Sequence, residues 1–341
     1  MSLQSVVLTG VTGNVGAIVL EYLLEGGMTV NAVLRSFANS KEFLEQRYPH
    51  EVATGKLRFT EIPDMGIEGV FDAPAKNASA IIHVATPLSD SDFKATMIEP
   101  AWQIDHSILE AANRSLTVKR VIVTGSIVAV MKLPEDLLKD ETFNEENYNP
   151  ITLEEAVTNV SSAYQYSKVS SELKAQEYMA KEDRSFDLVL LLAPSIIGRS
   201  IQQGFKANKD GIGGMSSLYN NLFDRDAVGS IFPFVMDVDD VARTHVKSLQ
   251  TSAVPGNMRY LLIGGEMGAA QLANKLRANY PKLQSRVPAG GKEEPWPKTM
   301  AKCDISRSEK IFGSNWVSWW DSARATVEDI LAYEANHPVV V

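Results

Sequence analysis

The sequence predicts an α/β fold, a doubly wound parallel sheet followed by a smaller, mixed C-terminal lobe. Three observations predict it. Apolar, β-rich runs alternate with amphipathic stretches from residue 5 to about residue 198, the rhythm of a parallel sheet covered by helices on both faces. The runs are continuous in Val, Ile and Leu, as strands buried on both faces are. Past Gly198 the alternation stops: Gly204, Gly211, Gly213 and Gly214 mark turns, and Met and aromatic residues gather between residues 215 and 236.

Taken in order, strands are expected at residues 5–10, 29–35, 57–62, 79–85, 120–126 and 186–196. Helices are expected at 14–24, 40–47, 96–113 and 161–181, the last unusually long. Beyond them a strand is expected near 259–263 and helices near 238–249, 269–279 and 319–333, with a Pro-rich stretch at 288–297. The domain division that follows is 1–198 for the first lobe, with about 237–265 returning to it, and 199–341 mainly for the second. The acidic segment 135–146 interrupts the first lobe and reads as a solvated loop.

Composition narrows the class of partner. A net charge of −9 provides no basic field to hold a nucleic acid. At 45% hydrophobic and 22% charged over 341 residues, the chain buries roughly three quarters of its unfolded surface, which excludes disorder. No apolar run approaches the ~20 residues of a membrane span, and no charged lead with an apolar signal core opens the chain. A cytoplasmic protein without membrane contact is expected. The single cysteine, Cys303, excludes an internal disulfide, and five scattered histidines lack ligand spacing, so no metal is expected.

The first strand runs into Thr9, Gly10, Val11, Thr12, Gly13, Asn14, Val15 and Gly16, and then into a helix. Gly10 permits the tight turn, Gly13 lets backbone approach a pyrophosphate, and Gly16 lets helix pack on sheet. Free amides at the helix start then receive the anion. This is the dinucleotide loop of a Rossmann-type sheet. The second strand ends in Arg35 and Ser36, where an acid would otherwise hold a ribose diol. Arg35, with Ser36 and Lys41 at the same corner, suits a 2′-phosphate, so NADPH is the expected cofactor. Asp64 and Met65, past the third strand, are placed beside the adenine.

Tyr164 and Lys168 share one face of the long helix by their four-residue offset. About 0.6 such pairs arise by chance in this composition, so position must decide. The pair follows Ser126, which ends the fifth strand, and the carboxyl ends of parallel strands are where such sheets bind ligands. A phenol of pKa ~10 is a slow proton donor unless a cation stabilises its phenolate. Lys168 supplies that cation and holds the nicotinamide ribose, while Ser126 orients the substrate oxygen toward Tyr164.

Through residues 9–16, Ser126, Tyr164 and Lys168 the chain resembles the extended short-chain dehydrogenase/reductase family over nearly its whole length. It is most similar to the dihydroflavonol 4-reductase group and the yeast and fungal NADPH-dependent carbonyl reductases. The resemblance implies that Ala85, Thr86 and Pro87 lie at the nicotinamide ribose with Thr124, and that Pro194, Ser195 and Ile196 meet the nicotinamide amide. It also implies that the segment from Asp237 to His245 begins a helix returning to the first lobe, its acids serving as caps and pairings. The chain departs from the family pattern at Gly125 and at residues 103–106, which replace a glycine-containing stretch. It also lacks the Asn-Trp-Tyr-Cys-Tyr signature of cinnamoyl-CoA reductases and the Thr-Asp/Glu pair of sugar dehydratases.

The substrate pocket is expected from Leu88 and Ile127 with Met215, Leu218, Tyr219, Phe223, Phe232 and Phe234, an apolar wall suited to a small hydrophobic carbonyl compound. The leading reading is NADPH-dependent reduction of an aldehyde or ketone by a monomer or homodimer. The alternatives are a nucleotide-sugar epimerase or 3β-hydroxysteroid-type oxidoreductase, for which Arg199, Arg225 and Arg243 are the candidate phosphate ligands, and a non-catalytic dinucleotide sensor.

Overall fold

The protein is described by a computed structural model covering residues 5–337 except 90, 182, 183, 294, 295 and 298. In chain order its strands are β1 (Ser5–Thr9), β2 (Thr29–Leu34), β3 (Leu57–Glu61), β4 (Ala80–His83), β5 (Arg120–Ser126), β6 (Thr142–Phe143), β7 (Asp187–Ala193), β8 (Ser195–Ile197), β9 (Phe234–Asp237), β10 (Met258–Leu261), β11 (Gly265–Glu266) and β12 (Lys302–Cys303). Seven of them form one parallel sheet in the order β10-β7-β5-β4-β1-β2-β3. The order reverses between β1 and β4, and that switch point opens a crevice at the carboxyl ends of the strands.

Successive residues of each strand face opposite sides of the sheet, which is why the sequence reads as unbroken apolar runs. Val7, Ile81, Val121 and Leu188 pack under the helices Glu99–Arg114 and Val160–Ala180. Leu8, Ile82, Ile122 and Val189 pack under the helices Asn14–Glu25 and Val238–Lys247. Each such side chain contributes about 1.5–3 kcal/mol relative to an exposed one. A polar tie crosses the amino end of the sheet. Arg120, buried at the start of β5, donates from Nε and Nη2 to Asp187 of β7 at 2.6 Å each, and from Nη1 to the carbonyl of Ser248.

The expected strand at 186–196 is two strands. Pro194 offers no N–H to the ladder, so β7 stops at Ala193, and β8 joins a second sheet of order β11-β9-β8. The helix expected from residue 40 starts at Phe37, whose amide donates to the Glu61 carboxylate at 2.6 Å. The helix expected from residue 96 is preceded by a π-turn at Lys94–Ile98. A helix at Gly214–Leu222, absent from the sequence expectations, packs Leu218 and Leu222 into the core of the second lobe with Leu272, Leu276, Ala323 and Val327.

The acidic segment is pinned, not freely solvated. Asp136 and Glu145 are buried, accepting from the amides of Lys132 (2.6 Å) and Leu261 (3.1 Å), and β6 pairs with β12. No helix among the described residues is long and apolar enough to cross a membrane.

Candidate active site

The glycine loop closes where β1 meets its helix. Gly10 has φ +75°, and a Cβ there would lie 2.8 Å from the Ala85 amide nitrogen. A Cβ on Gly16 would come within 2.0 Å of the Gly10 carbonyl oxygen, so helix and turn touch backbone to backbone. The helix Asn14–Glu25 begins at Gly13 without a side-chain cap and without an acid in its first turn. Its first amides therefore point into the crevice unpaired, the arrangement that receives an anion. Gln203 crosses above, donating its amide to Thr12 O (3.1 Å) and its side chain to Asn39 O (2.5 Å).

Asn14 and Val15 lie at one end of a cavity of about 520 Å³ that continues past the ends of β5 and β7. Ser126, Tyr164 and Lys168 all line it, as do Thr86, Leu88, Thr124, Ile127, Pro194, Ser195, Ile196 and Met215. Lys168 Nζ is held 3.0 Å from both Thr86 Oγ1 and the Thr124 carbonyl, and lies 5.9 Å from the centre of the Tyr164 ring. The Tyr164 hydroxyl makes no hydrogen bond among the described residues. Ser126 Oγ receives only the Val128 amide, at 3.4 Å. Two hydroxyls and an ammonium thus border one cavity, one backed by a fixed cation and both free to bind an oxygen.

Thr124 also bonds His245, and the Asp237 carboxylate caps the helix Val238–Lys247 by accepting from the Asp239 amide at 2.8 Å. Among the described residues, the ionisable side chain on the cavity wall besides Tyr164 and Lys168 is Asp329, which accepts from the Ser200 amide at 2.6 Å and whose pKa is raised by burial.

Several expected site residues lie elsewhere. Thr9 is wholly buried, and its hydroxyl accepts the Val84 and Ala85 amides (3.2 Å each), so its side chain serves the sheet and does not reach the crevice. Tyr219 turns away from the cavity to bond Glu334, with Phe223 against its ring. Phe234 is buried between Phe232 and Trp296, and of these three Phe232 alone reaches the cavity. Leu218 and Phe223 belong to the second core.

Ala85 and Pro87 line a small chamber behind Lys168. Arg35 is exposed at the far corner with no ion pair among the described residues, Ser36 precedes the helix Phe37–Arg47, and Lys41 pairs with Glu45 at 3.5 Å. Asp64 is exposed and accepts from Gly66, while Met65 packs on the core. The cavity residues that the sequence did not single out include Leu133, Phe205, Ile212 and Asp329. They come from loops and the last helix, which carry no periodic signal toward the site.

The residues fit a dinucleotide. The glycine loop is a backbone cradle that side chains would fill, the helix start is uncapped, and the unpaired guanidinium of Arg35 stands at the corner where β2 ends. Arg199 and Arg243 are committed to Asp239, Glu21 and Asp240, and neither they nor Arg225 lines the cavity.

Comparison with known proteins agrees with this architecture. The profile of the NAD dependent epimerase/dehydratase family matches residues 6–263. The chain is 31% identical over 287 residues to a putative uncharacterized oxidoreductase of Schizosaccharomyces pombe, covering 82% of this chain and 84% of that one. It is 26% identical to the ketoreductase azaE of Aspergillus niger over 91% of this chain and 92% of that one. The structure of yeast methylglyoxal/isovaleraldehyde reductase Gre2 complexed with NADPH superposes with a TM-score of 0.86 at 23% identity, covering 97% of this chain and 99% of that one. The chain belongs to the NAD dependent epimerase/dehydratase family, the extended short-chain dehydrogenases/reductases.

Proposed function

We propose that the protein is an NADPH-dependent reductase that converts a hydrophobic aldehyde or ketone to the alcohol. The observation that carries this reading is the meeting of Ser126, Tyr164 and Lys168 on one cavity whose other end is the glycine loop. The names of the relatives support it.

NADPH, when bound, supplies the hydride. The chain's own residues do the rest. The loop amides and Arg35 hold the phosphates. Ser126 donates to the carbonyl oxygen and fixes its distance from Tyr164, whose hydroxyl protonates that oxygen as negative charge develops on it. Lys168, anchored by Thr86 and the Thr124 carbonyl, stabilises the resulting phenolate. A positioned acid of this kind contributes about 10²- to 10⁴-fold.

Leu88, Leu133, Phe205, Ile212, Met215 and Phe232 make the substrate end apolar. They favour a carbonyl compound with a hydrophobic body, held by shape and dispersion. The same wall disfavours a nucleotide sugar, because among the described residues Lys168 is its sole basic side chain and is already committed to the reaction centre.

The test is NADPH oxidation over a panel of methylglyoxal, aromatic aldehydes, β-keto esters and dihydroflavonols. Consumption is expected with the bulkier apolar members. No consumption with any of them, together with turnover of UDP-sugars, rejects the reading.

A further inference from the structure

The edge of the seven-stranded sheet carries a second cavity. It lies beside β10 and the last turn of the helix Val160–Ala180, has a volume of about 420 Å³, and among the described residues shares none of its lining with the active-site cavity. We propose that it is a binding site for an uncharged, flat aromatic compound bearing carbonyl or ether oxygens, seated against Tyr148. The reductase reading does not enter the argument.

Part of the wall is apolar. Leu188 and Leu190 of β7, both buried, line it from the sheet, and Met179 and Ala180 line it from the helix. The thioether of a methionine adapts to a ring and makes favourable contacts at its edge. Tyr148, from the segment after β6, adds aromatic surface. The guanidinium carbon of Arg259 lies 3.9 Å from the centre of its ring, and its hydroxyl donates to Gln176 Oε1 at 2.6 Å. A strand and a helix thus fix a ring that is still exposed. Such a preorganised ring loses little freedom when a second one packs against it.

The charges decide the class of ligand. Arg259, Arg307, Glu145 and Glu146 line the cavity, so their charges cancel. Each is already engaged. Arg259 pairs with Glu172 and donates from Nη1 to the carbonyls of Glu145 and Asn147, the latter at 2.8 Å. Arg307 pairs with Glu146 at 2.5 Å, and the buried Glu145 accepts from the Leu261 amide at 3.1 Å. A carboxylate ligand would compete with a glutamate for its guanidinium, and an ammonium ligand would face both arginines. A neutral molecule leaves both pairs intact.

Hydrogen-bond donors remain on the same wall. The side-chain oxygens of Gln176 and Asn257 accept from the Tyr148 hydroxyl and from the Leu188 amide (3.0 Å), whereas their amide nitrogens have no partner among the described residues. Arg259 Nη2 is buried and has none either. Three donors without acceptors at one cavity call for oxygen atoms from a ligand, and carbonyl or ether oxygens supply them without adding charge.

The test uses 7-methoxycoumarin, a neutral flat ring system with carbonyl and ether oxygens, added to the full chain with NADP⁺ present. Carbon-13 labels in the methionine methyl groups report where it sits, because Met179 lines this cavity and Met215 lines the active-site cavity. Met179→Leu and Met215→Leu assign the two signals. The Met179 signal is expected to shift saturably, with a Kd below about 1 mM. The same ring as 7-methoxycoumarin-3-carboxylate is expected to bind at least about tenfold more weakly. Tyr148→Ala is expected to weaken the neutral probe by about three- to tenfold. Ala180→Trp, at the exposed end of the helix, fills the cavity and abolishes the shift, and it serves if Tyr148→Ala does not fold. The proposal is overturned if the Met179 signal stays still up to about 1 mM probe, if the Met215 signal alone moves, if the carboxylate binds as tightly as the neutral probe, or if either folded variant binds as the wild type does. Absence of NADPH oxidation with every carbonyl compound would instead defeat the reductase reading and leave this result standing.

Discussion

Thr124 Oγ1 lies 2.8 Å from His245 Nε2, and the other ring nitrogen lies 2.8 Å from the Val241 carbonyl. With Nδ1–H donating to that carbonyl, Nε2 accepts from Thr124, so a neutral imidazole joins the end of β5 to the helix Val238–Lys247. The same Thr124 holds Lys168 through its carbonyl. The strand end that borders the cavity is therefore braced from behind by a histidine.

This brace makes stability pH-dependent. Burial lowers His245 to about 4, whereas an unfolded histidine titrates near 6.5. Between those values the unfolded chain binds a proton that the folded one refuses. Stability present above about pH 6.5 is lost as pH falls toward 4, and the loss from this group is complete below it. In His245→Gln the unfolding free energy is expected to fall less over that range, by about 3 kcal/mol in total. Denaturant titrations at several pH values measure it, and parallel profiles for the two proteins refute it.

Tyr164→Phe removes the proposed proton donor and leaves the ring on the cavity wall. Turnover is expected to fall by about 10²- to 10⁴-fold, while NADPH affinity, read by fluorescence titration, stays within about threefold. A variant with full rate excludes Tyr164 as the donor.

Arg35 is exposed and without an ion pair among the described residues, so its replacement tests cofactor choice with little effect on folding. Arg35→Ala is expected to weaken NADPH by about 10- to 100-fold through loss of a charge-assisted contact, with NADH affinity nearly unchanged. Equal losses for the two nucleotides would show that Arg35 does not read the 2′-phosphate.

Asp187 receives both arms of the buried Arg120. Asp187→Ala strands that guanidinium against Ser248 O alone, and a destabilisation of about 3 kcal/mol is expected in chemical unfolding. A loss below about 0.5 kcal/mol would mean that water reaches Arg120 and replaces the carboxylate.

The sheet was legible because burial on both faces leaves a mark that polar residues do not interrupt. The strands β1, β4, β5 and β7 stand where Val, Ile and Leu run together, and the overrun at residue 194 shows the limit of that signal: apolar character continued through Pro194 while the ladder did not. The glycine loop and the Tyr164–Lys168 pair were legible because both are local, fixed by spacing along one turn or one helix. Tyr219 and Phe234 were misplaced because an aromatic residue in a short element fits a core and a pocket equally well, and long-range packing decides between them. The helix Gly214–Leu222 was hidden by glycines that read as a turn, although Gly214 is where a Cβ would strike the Ile196 carbonyl at 2.3 Å.

The ribbon between Gly198 and Gly214 has two jobs that protein engineers would prefer to keep apart. Phe205 and Ile212 line the end of the cavity proposed to receive the carbonyl compound, while Gln203, between Gly198 and Phe205, is fastened to Thr12 and Asn39 beside the dinucleotide cradle. Loop exchanges made to widen substrate range will therefore also loosen or tighten the grip on the coenzyme, and libraries in this stretch need screening at more than one NADPH concentration to tell the two effects apart.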